Sequence, residues 1–529
     1  MVSFFSRCFP KRRKGQQQQQ QWKEIEEAAR DLESRPSWNA PDNTLLLEAF
    51  EWHVPDDTCH WRRLQHALPG LKEIGIDNIW IPPGCKAMNS SGNGYDIYDL
   101  YDLGEFDQKG SRTTKWGSRR ELEDLVEEAK SLGVGVYWDA VLNHKAGADY
   151  PERFQAVKVD PNRRNVEISK PTEIEGWVGF DFAGRGDQYS SMKYNWQHFN
   201  GVDWDESRRE NAIFKIHAPG KDWAQDVGKD NGNYDYLMFA NLDYSNPEVR
   251  EDVLNWGTWI TNELSLSGMR LDAAKHFSAG FQKELSSMSA RRLTRIYFVI
   301  WRILVGKLEG SFGVSPAVGI ISVTAVDVPL VVNLCRTSYT KGGDLRKIFK
   351  GTLVQSKPEN ALTFVSNHDT NPVAQYFKPL AYALVLLRKD GHPCVFYGDL
   401  YGTLGDKPLK RACKGKLPIL TRARKLYAYG EQQDYFDQAN CIGEICTVTE
   451  TRAIHSGMGL HYEQRRGSRK RMYVGPKHAN EQWTDIMQSH ESVVTIDASG
   501  YGVFPVNGMS VSVWVNSAAP DRDILHQPL

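Results

Sequence analysis

The chain has 529 residues, a formal charge of -1 and a hydrophobic fraction of 40%, which suits a large soluble protein of two or three domains. The near-neutral balance excludes a nucleic-acid partner recruited by bulk charge, and no apolar run is long enough to span a bilayer. The eight cysteines are scattered without CxxC spacing, which argues against a disulfide framework or a zinc site.

The opening stretch, MVSFFSRCFPKRRKGQQQQQQ, lacks the roughly 7 to 15-residue apolar core of a secretory signal. The expectation is a cytoplasmic protein with reduced thiols. Cys8 beside Lys11, Arg12, Arg13 and Lys14 has the composition of a palmitoylation site with a basic patch, and also of a plain disordered tail over residues 1–40. Beyond the tail, short apolar runs alternate with helical stretches, the pattern of parallel α/β architecture. Eight runs read as strands: 45–52, 78–83, 134–144, 268–276, 296–300, 323–330, 361–369 and 393–399. One intervening helix opens on Ser118 with Glu121 three residues on, as a capping box requires.

Eight strand–helix units predict a closed (β/α)₈ TIM barrel, built from residues 41–144 and 247–429. The gap at 145–246 is too long for a loop and reads as a domain inserted after the third strand. From 430 to 529 the pattern turns to short alternating segments such as RMYVGP and SVSVWV, a C-terminal antiparallel β domain.

Polar residues gather where the strands finish: Asn143 and His144, then Asp272 and His276, then Asn367, His368 and Asp369. In such barrels chemistry takes place at that face. Within GMRLDAAKH, strand alternation points Arg270 and Asp272 to one face, with Lys275 three residues on. Arg270 would keep Asp272 ionised, and a structural ion pair is the alternative reading. Together these groups suit cleavage of a neutral bond through a cationic transition state.

The segments DAVLNHKAGAD, GMRLDAAKH, FVSNHDT, GYDIYDLYDLGEFDQKG, GNYDYLMFANLDY and VFYGDLYGT resemble the α-amylase family of retaining glycoside hydrolases. The likeness is to its liquefying, bacterial-type branch and intracellular fungal relatives, from about residue 43 onward. The resemblance implies that Asp272 is the nucleophile and Asp369 the carboxylate that stabilises the transition state. It further implies that Arg270 orients Asp272, that His144 and His368 bind sugar hydroxyls, and that Trp52 and Tyr95 border the sugar. Lys275 and His276 would hold the leaving-group side. It also implies one calcium ion, Ca2+, at Asn143, Asp235, Asn241 and the His276 carbonyl, bound less tightly because Asn200, Asn241 and Ser245 stand where the branch has aspartates.

A retaining glycosidase needs a second carboxylic acid to protonate the leaving oxygen, in this family a Glu in a Gly-Glu-Tyr-Trp setting after the fifth strand. Here the chain reads Trp301-Arg302-Ile303-Leu304, and Glu309 is the nearest acid beyond. If residues 301–304 are encoded by TGG AGA ATA TTG followed by G, reading one base later gives Gly-Glu-Tyr-Trp, and a local frameshift restored before Val323 would account for the departure. Ser366 stands where the family has Asp, and the connection 370–376 is shorter than in relatives. The implied function is endo-acting hydrolysis of α-1,4-glucosidic bonds in starch, glycogen or maltooligosaccharides with retention, impaired if the acid is truly absent. An α-glucan transglycosylase and a non-catalytic α-glucan-binding protein remain the alternatives.

Overall fold

In the computed structural model the described residues are 43–292, 298–301, 322–340, 342–447, 454–456 and 467–527. Eight parallel strands close into a barrel: β1 (Leu46–Glu48), β2 (Asn78–Ile81), β3 (Gly135–Ala140), β4 (Gly268–Leu271), β5 (Phe298–Trp301), β6 (Ser322–Val326), β7 (Ala361–Thr363) and β8 (His392–Phe396). Each pairs with its sequence neighbours, and β8 returns to β1 through Leu46–Cys394. Parallel strands covered by helices are buried on both faces, which is why they read as continuous apolar runs. The predicted helix start is present: Ser118 accepts from the Glu121 N–H and the Glu121 side chain accepts in return, opening the helix Arg119–Ser131.

Seven of the eight strands stop sooner than the runs read for them, and at three of them the reason is local. β4 ends at Leu271, and the chain then turns through Ala273 at φ 52°. The run 323–330 passes at Val328 into the helix Val328–Tyr339, whose first turn is capped by the Asp327 carboxylate on the Leu330 N–H. The run 393–399 likewise passes into the helix Tyr397–Tyr401.

After β3 the chain leaves the barrel and builds a mainly antiparallel sheet in the order His144–Lys145, Ala240–Leu242, Phe199–Asp205, Glu210–Ile216, Tyr150–Asp160 and Arg163–Glu167, with Thr172–Gly179 pairing Tyr150–Asp160. His144–Lys145 is the first strand of this sheet, so the insertion is anchored directly to the end of β3. A second antiparallel sheet, from Glu431–Gln438 to Val494–Thr495, follows the barrel. It buries its own apolar cluster of Ile445, Met472, Trp483, Phe504 and Trp514.

Candidate active site

Register explains the centre of the site. Arg270 on β4 lies opposite Asp139 on β3, and the Arg270 Nη1 donates to Asp139 Oδ1 at 2.7 Å. Its Nη2 reaches Asp272 Oδ1 at 2.9 Å, so one planar guanidinium holds two carboxylates. Arg270 is almost wholly buried, whereas the Asp272 side chain keeps 13% of its surface open. Asp272 lies one residue beyond β4, its N–H on the Ala140 carbonyl at 2.9 Å, so the ladder continues a step and delivers the carboxylate at the barrel mouth.

Asp139 also accepts from Trp80 Nε1 at 3.0 Å and from the Tyr95 hydroxyl at 2.8 Å. Burial pushes its carboxyl up to about 6, against the lowering charge of Arg270, so at neutral pH it is ionised and accepts all three donors. Nothing in the strand pattern singles out Asp139, although it opens the segment DAVLNH. Its role becomes visible only through the β3–β4 register.

β7 supplies the facing wall. The Asn367 Oδ1 accepts from the Asp369 N–H at 3.1 Å and the Thr370 N–H at 2.7 Å, a side-chain turn that sets Asp369 at the rim. Its carboxylate lies 3.4 Å from His368 Nε2. Trp52, Tyr95 and His368 present nearly parallel rings, with interplanar angles of 13°, 14° and 10°. Trp52 and Asp369 border a cavity of about 380 Å³.

Behind His368 lies a second group that the sequence pattern does not flag, the buried Glu48 at the end of β1. Its Oε1 faces His368 Nδ1 at 2.5 Å and accepts from the His368 N–H at 3.2 Å. Proton counting fixes the other ring nitrogen. Tyr95 has one hydroxyl proton and gives it to ionised Asp139, so its 3.0 Å contact with His368 Nε2 requires an Nε2–H donor. The Glu48–His368 pair therefore holds one proton between them and one on Nε2, directed at Tyr95 and Asp369.

Burial pushes the Glu48 carboxyl well above the ordinary carboxylate range, with the His368 N–H and the Arg270 charge opposing. A carboxyl raised in the folded state contributes stability that is complete below its unfolded pKa and is lost as pH rises through the folded value. Glu48→Gln has no such proton to lose. The unfolding temperature of the variant relative to the parent is expected to rise between pH 5 and pH 8, and a pH-independent difference would contradict the assignment.

The remaining predicted residues divide. His144 is buried, with its Nε2 2.8 Å from the Tyr95 carbonyl and its Nδ1 3.4 Å from the Asn143 side-chain amide; burial lowers its pKa. The His276 Nδ1 is held 2.7 Å from the Tyr234 carbonyl, with burial lowering its pKa to about 4. Lys275, three residues beyond Asp272, turns to another carboxylate. Its ammonium pairs with Asp230 at 3.3 Å and lies over the Tyr234 ring, because the turn after β4 carries it away from Asp272 toward the insertion.

The proposed metal residues form an amide relay. Asn143 donates to Asn241 at 3.0 Å, Asn241 to Asn200 at 2.9 Å, and Asn200 to Asp235 at 2.7 Å. Burial raises Asp235 to about 7. No cluster of three or more His, Cys, Asp or Glu suited to a metal occurs among the described residues. Neighbouring carboxylates are claimed by lysines, Asp243 by Lys221 at 2.6 Å and Asp222 by Lys215 at 3.1 Å. One feature fits a hard cation: Asn143 Oδ1 is buried without a hydrogen-bond partner.

Trp301, Arg302 and Glu309 are the residues on which the missing acid turns. Trp301 ends β5, opposite Leu271, while Arg302 and Glu309 lie outside the described residues.

Comparison with known proteins agrees with this geometry. The profile of the alpha-amylase catalytic domain matches residues 49–292. The chain is 44% identical over 490 residues to a glucan 1,4-alpha-maltohexaosidase of Bacillus sp. (strain 707), covering 90% of this chain and 92% of that protein. It is 43% identical over 485 residues to an alpha-amylase of Bacillus licheniformis, covering 89% and 93%. To the cytoplasmic alpha-amylase of Escherichia coli (strain K12) it is 35% identical over 495 residues, covering 89% and 99%. Among solved structures, an alpha-amylase from Geobacillus thermoleovorans complexed with acarbose matches with a TM-score of 0.58 at 16% identity, over 91% of this chain and 99% of that one, a likeness of fold. With relatives this similar along nearly its whole length, the chain belongs to the alpha-amylase family of hydrolases.

Proposed function

We propose that the protein is an endo-acting hydrolase of α-1,4-glucans such as starch, glycogen or maltooligosaccharides, acting with retention, and that the chain as printed is slowed by loss of its general acid. The observation that carries this reading is the Arg270 fork, which holds Asp272 in place and leaves it partly open at the barrel mouth. In this reading Asp272 attacks the anomeric carbon to form a glycosyl ester, while Asp369 stabilises positive charge on the ring. Trp52 and Tyr95 border the apolar face of the sugar, and the His368 Nε2–H, which faces Tyr95, is the donor that a sugar hydroxyl would take over. Arg270 keeps the nucleophile in line, and Asp139 keeps Arg270 in place.

Leaving-group protonation is the weak step. Leu271 pairs with Trp301, the last residue of β5. A retaining enzyme needs its second carboxyl roughly 5 Å from the nucleophile. The residue that follows Trp301 in the sequence is Arg302, not an acid. Cleavage of a maltoheptaoside by a chain with Gly-Glu-Tyr-Trp at 301–304, followed by NMR, should release internal fragments in the α-anomeric form. A β-anomeric first product would overturn the mechanism.

A single Ca2+ held by Asn143, Asp235, Asn241 and the His276 carbonyl is part of the same reading. When bound, it would cross-link the end of β3 to the inserted sheet and take no part in the chemistry. An ion that binds only the folded state raises stability with its free concentration. The unfolding temperature should rise from chelator to millimolar calcium, and an unchanged value would remove the ion from the account.

Cytoplasmic residence is part of the same reading, supported by the scattered cysteines and by likeness to a relative named as cytoplasmic. No helix among the described residues is long and apolar enough to cross a membrane.

A further inference from the structure

One side of the molecule carries charge that the catalytic site does not use. Residues 406–416, DKPLKRACKGK, hold five cations (Lys407, Lys410, Arg411, Lys414 and Lys416) against one acid, Asp406, in a chain whose net charge is -1. Lys407, Lys410, Arg411 and Lys414 are exposed and make no ion pair among the described residues. Lys416 donates to the Met487 carbonyl at 2.7 Å and so ties the segment to the C-terminal sheets. Like charges so close together repel one another only weakly in water, and together they attract anions to this face.

The cluster has a definite shape. Lys410, Arg411, Lys414 and Lys416 line a cavity of about 1340 Å³ between the end of the barrel and the C-terminal sheets, larger than the roughly 300 to 1,000 Å³ usual for a small ligand. Cys413, Lys414 and Gly415 run consecutively through the left-handed region, at φ 54°, 55° and 81°. Two non-glycine residues in that region are uncommon, and such backbone collects at ligand sites. Tyr376, Leu404 and Met509 offer exposed apolar surface on the same walls. Thr403, Leu404 and Leu409 line both this cavity and the one beside Trp52, His368 and Asp369. The two spaces therefore lie side by side.

We propose that this cavity binds the anionic stretch of an α-glucan, one carrying phosphate monoesters, while a neutral stretch of the same chain lies in the catalytic cleft. The proposal rests on the glucan reading of that cleft. A polymer threaded from Asp369 past Leu404 would meet Lys410, Arg411 and Lys414 next. A phosphate monoester carries about -1.5 to -2 charges at neutral pH, which matches an unpaired cluster better than a neutral sugar does.

The test is calorimetric titration of the full chain with a maltooligosaccharide bearing a glucose 6-phosphate ester, with the unesterified chain of equal length, with inorganic phosphate and with single-stranded RNA. The same titrations are made on the triple variant Lys410→Glu, Arg411→Glu, Lys414→Glu. The ester-bearing chain is expected to bind at least about tenfold more tightly than the neutral one. That preference should shrink with added salt and vanish in the triple variant, whose affinity for the neutral chain stays unchanged. Equal affinity for the two sugars, or a preference that survives in the triple variant, would overturn this site alone. Binding of RNA or inorganic phosphate as tight as that of the ester-bearing chain would assign the cavity to another anion and overturn the proposal. Failure of both sugars to bind would overturn the glucan reading together with it.

Discussion

Asp272→Asn, made in a chain that carries an acid after β5, is expected to lose turnover by roughly 10⁴- to 10⁶-fold, the span seen when one member of a catalytic unit is removed. The substitution keeps the shape of the side chain and removes the charge that attacks the anomeric carbon. Arg270 retains Asp139 at 2.7 Å, so its guanidinium is not left as an unpaired buried charge and the barrel mouth should hold its form. Binding of a maltooligosaccharide should change by no more than a few fold, because the Trp52, Tyr95 and His368 rings are untouched. Kinetics and calorimetry on the same preparation separate the two effects. Near-parent turnover would reject Asp272 as the nucleophile, and loss of binding in step with turnover would recast it as a residue that merely holds the sugar.

The barrel was legible because strands buried on both faces leave apolar runs that no loop resembles. Their ends were not. Val328, Pro329 and Leu330 are as apolar as the strand before them, and only the Asp327 cap with proline in the first helical turn marks the change. Asp272, Asp369, His368 and Tyr95 stood out as polar groups at strand ends or in recognisable segments. Asp139 and Glu48 did not, since each lies inside a buried strand and matters through what stands opposite: Arg270 across the β3–β4 register, and His368 across the barrel. Lys275 stands three residues beyond Asp272, and past the turn at Ala273 its ammonium pairs with Asp230, which spacing alone does not show. The amide relay from Asn143 to Asp235 was visible as a set of residue types, whereas which oxygens are spoken for depends on side-chain geometry that no spacing encodes.

The account stands most directly on the missing proton donor. Initial rates on starch and on an activated aryl maltooside, measured for the printed chain and for one with Gly-Glu-Tyr-Trp at 301–304, isolate that step. General acid catalysis is worth roughly 10² to 10⁴-fold, so the restored chain should hydrolyse starch faster by about that factor. The aryl maltooside needs little protonation to leave and should gain much less. Disproportionate recovery on starch is the predicted result; equal starch rates for the two chains would contradict the account and move the acid role to Glu309 or another carboxylate.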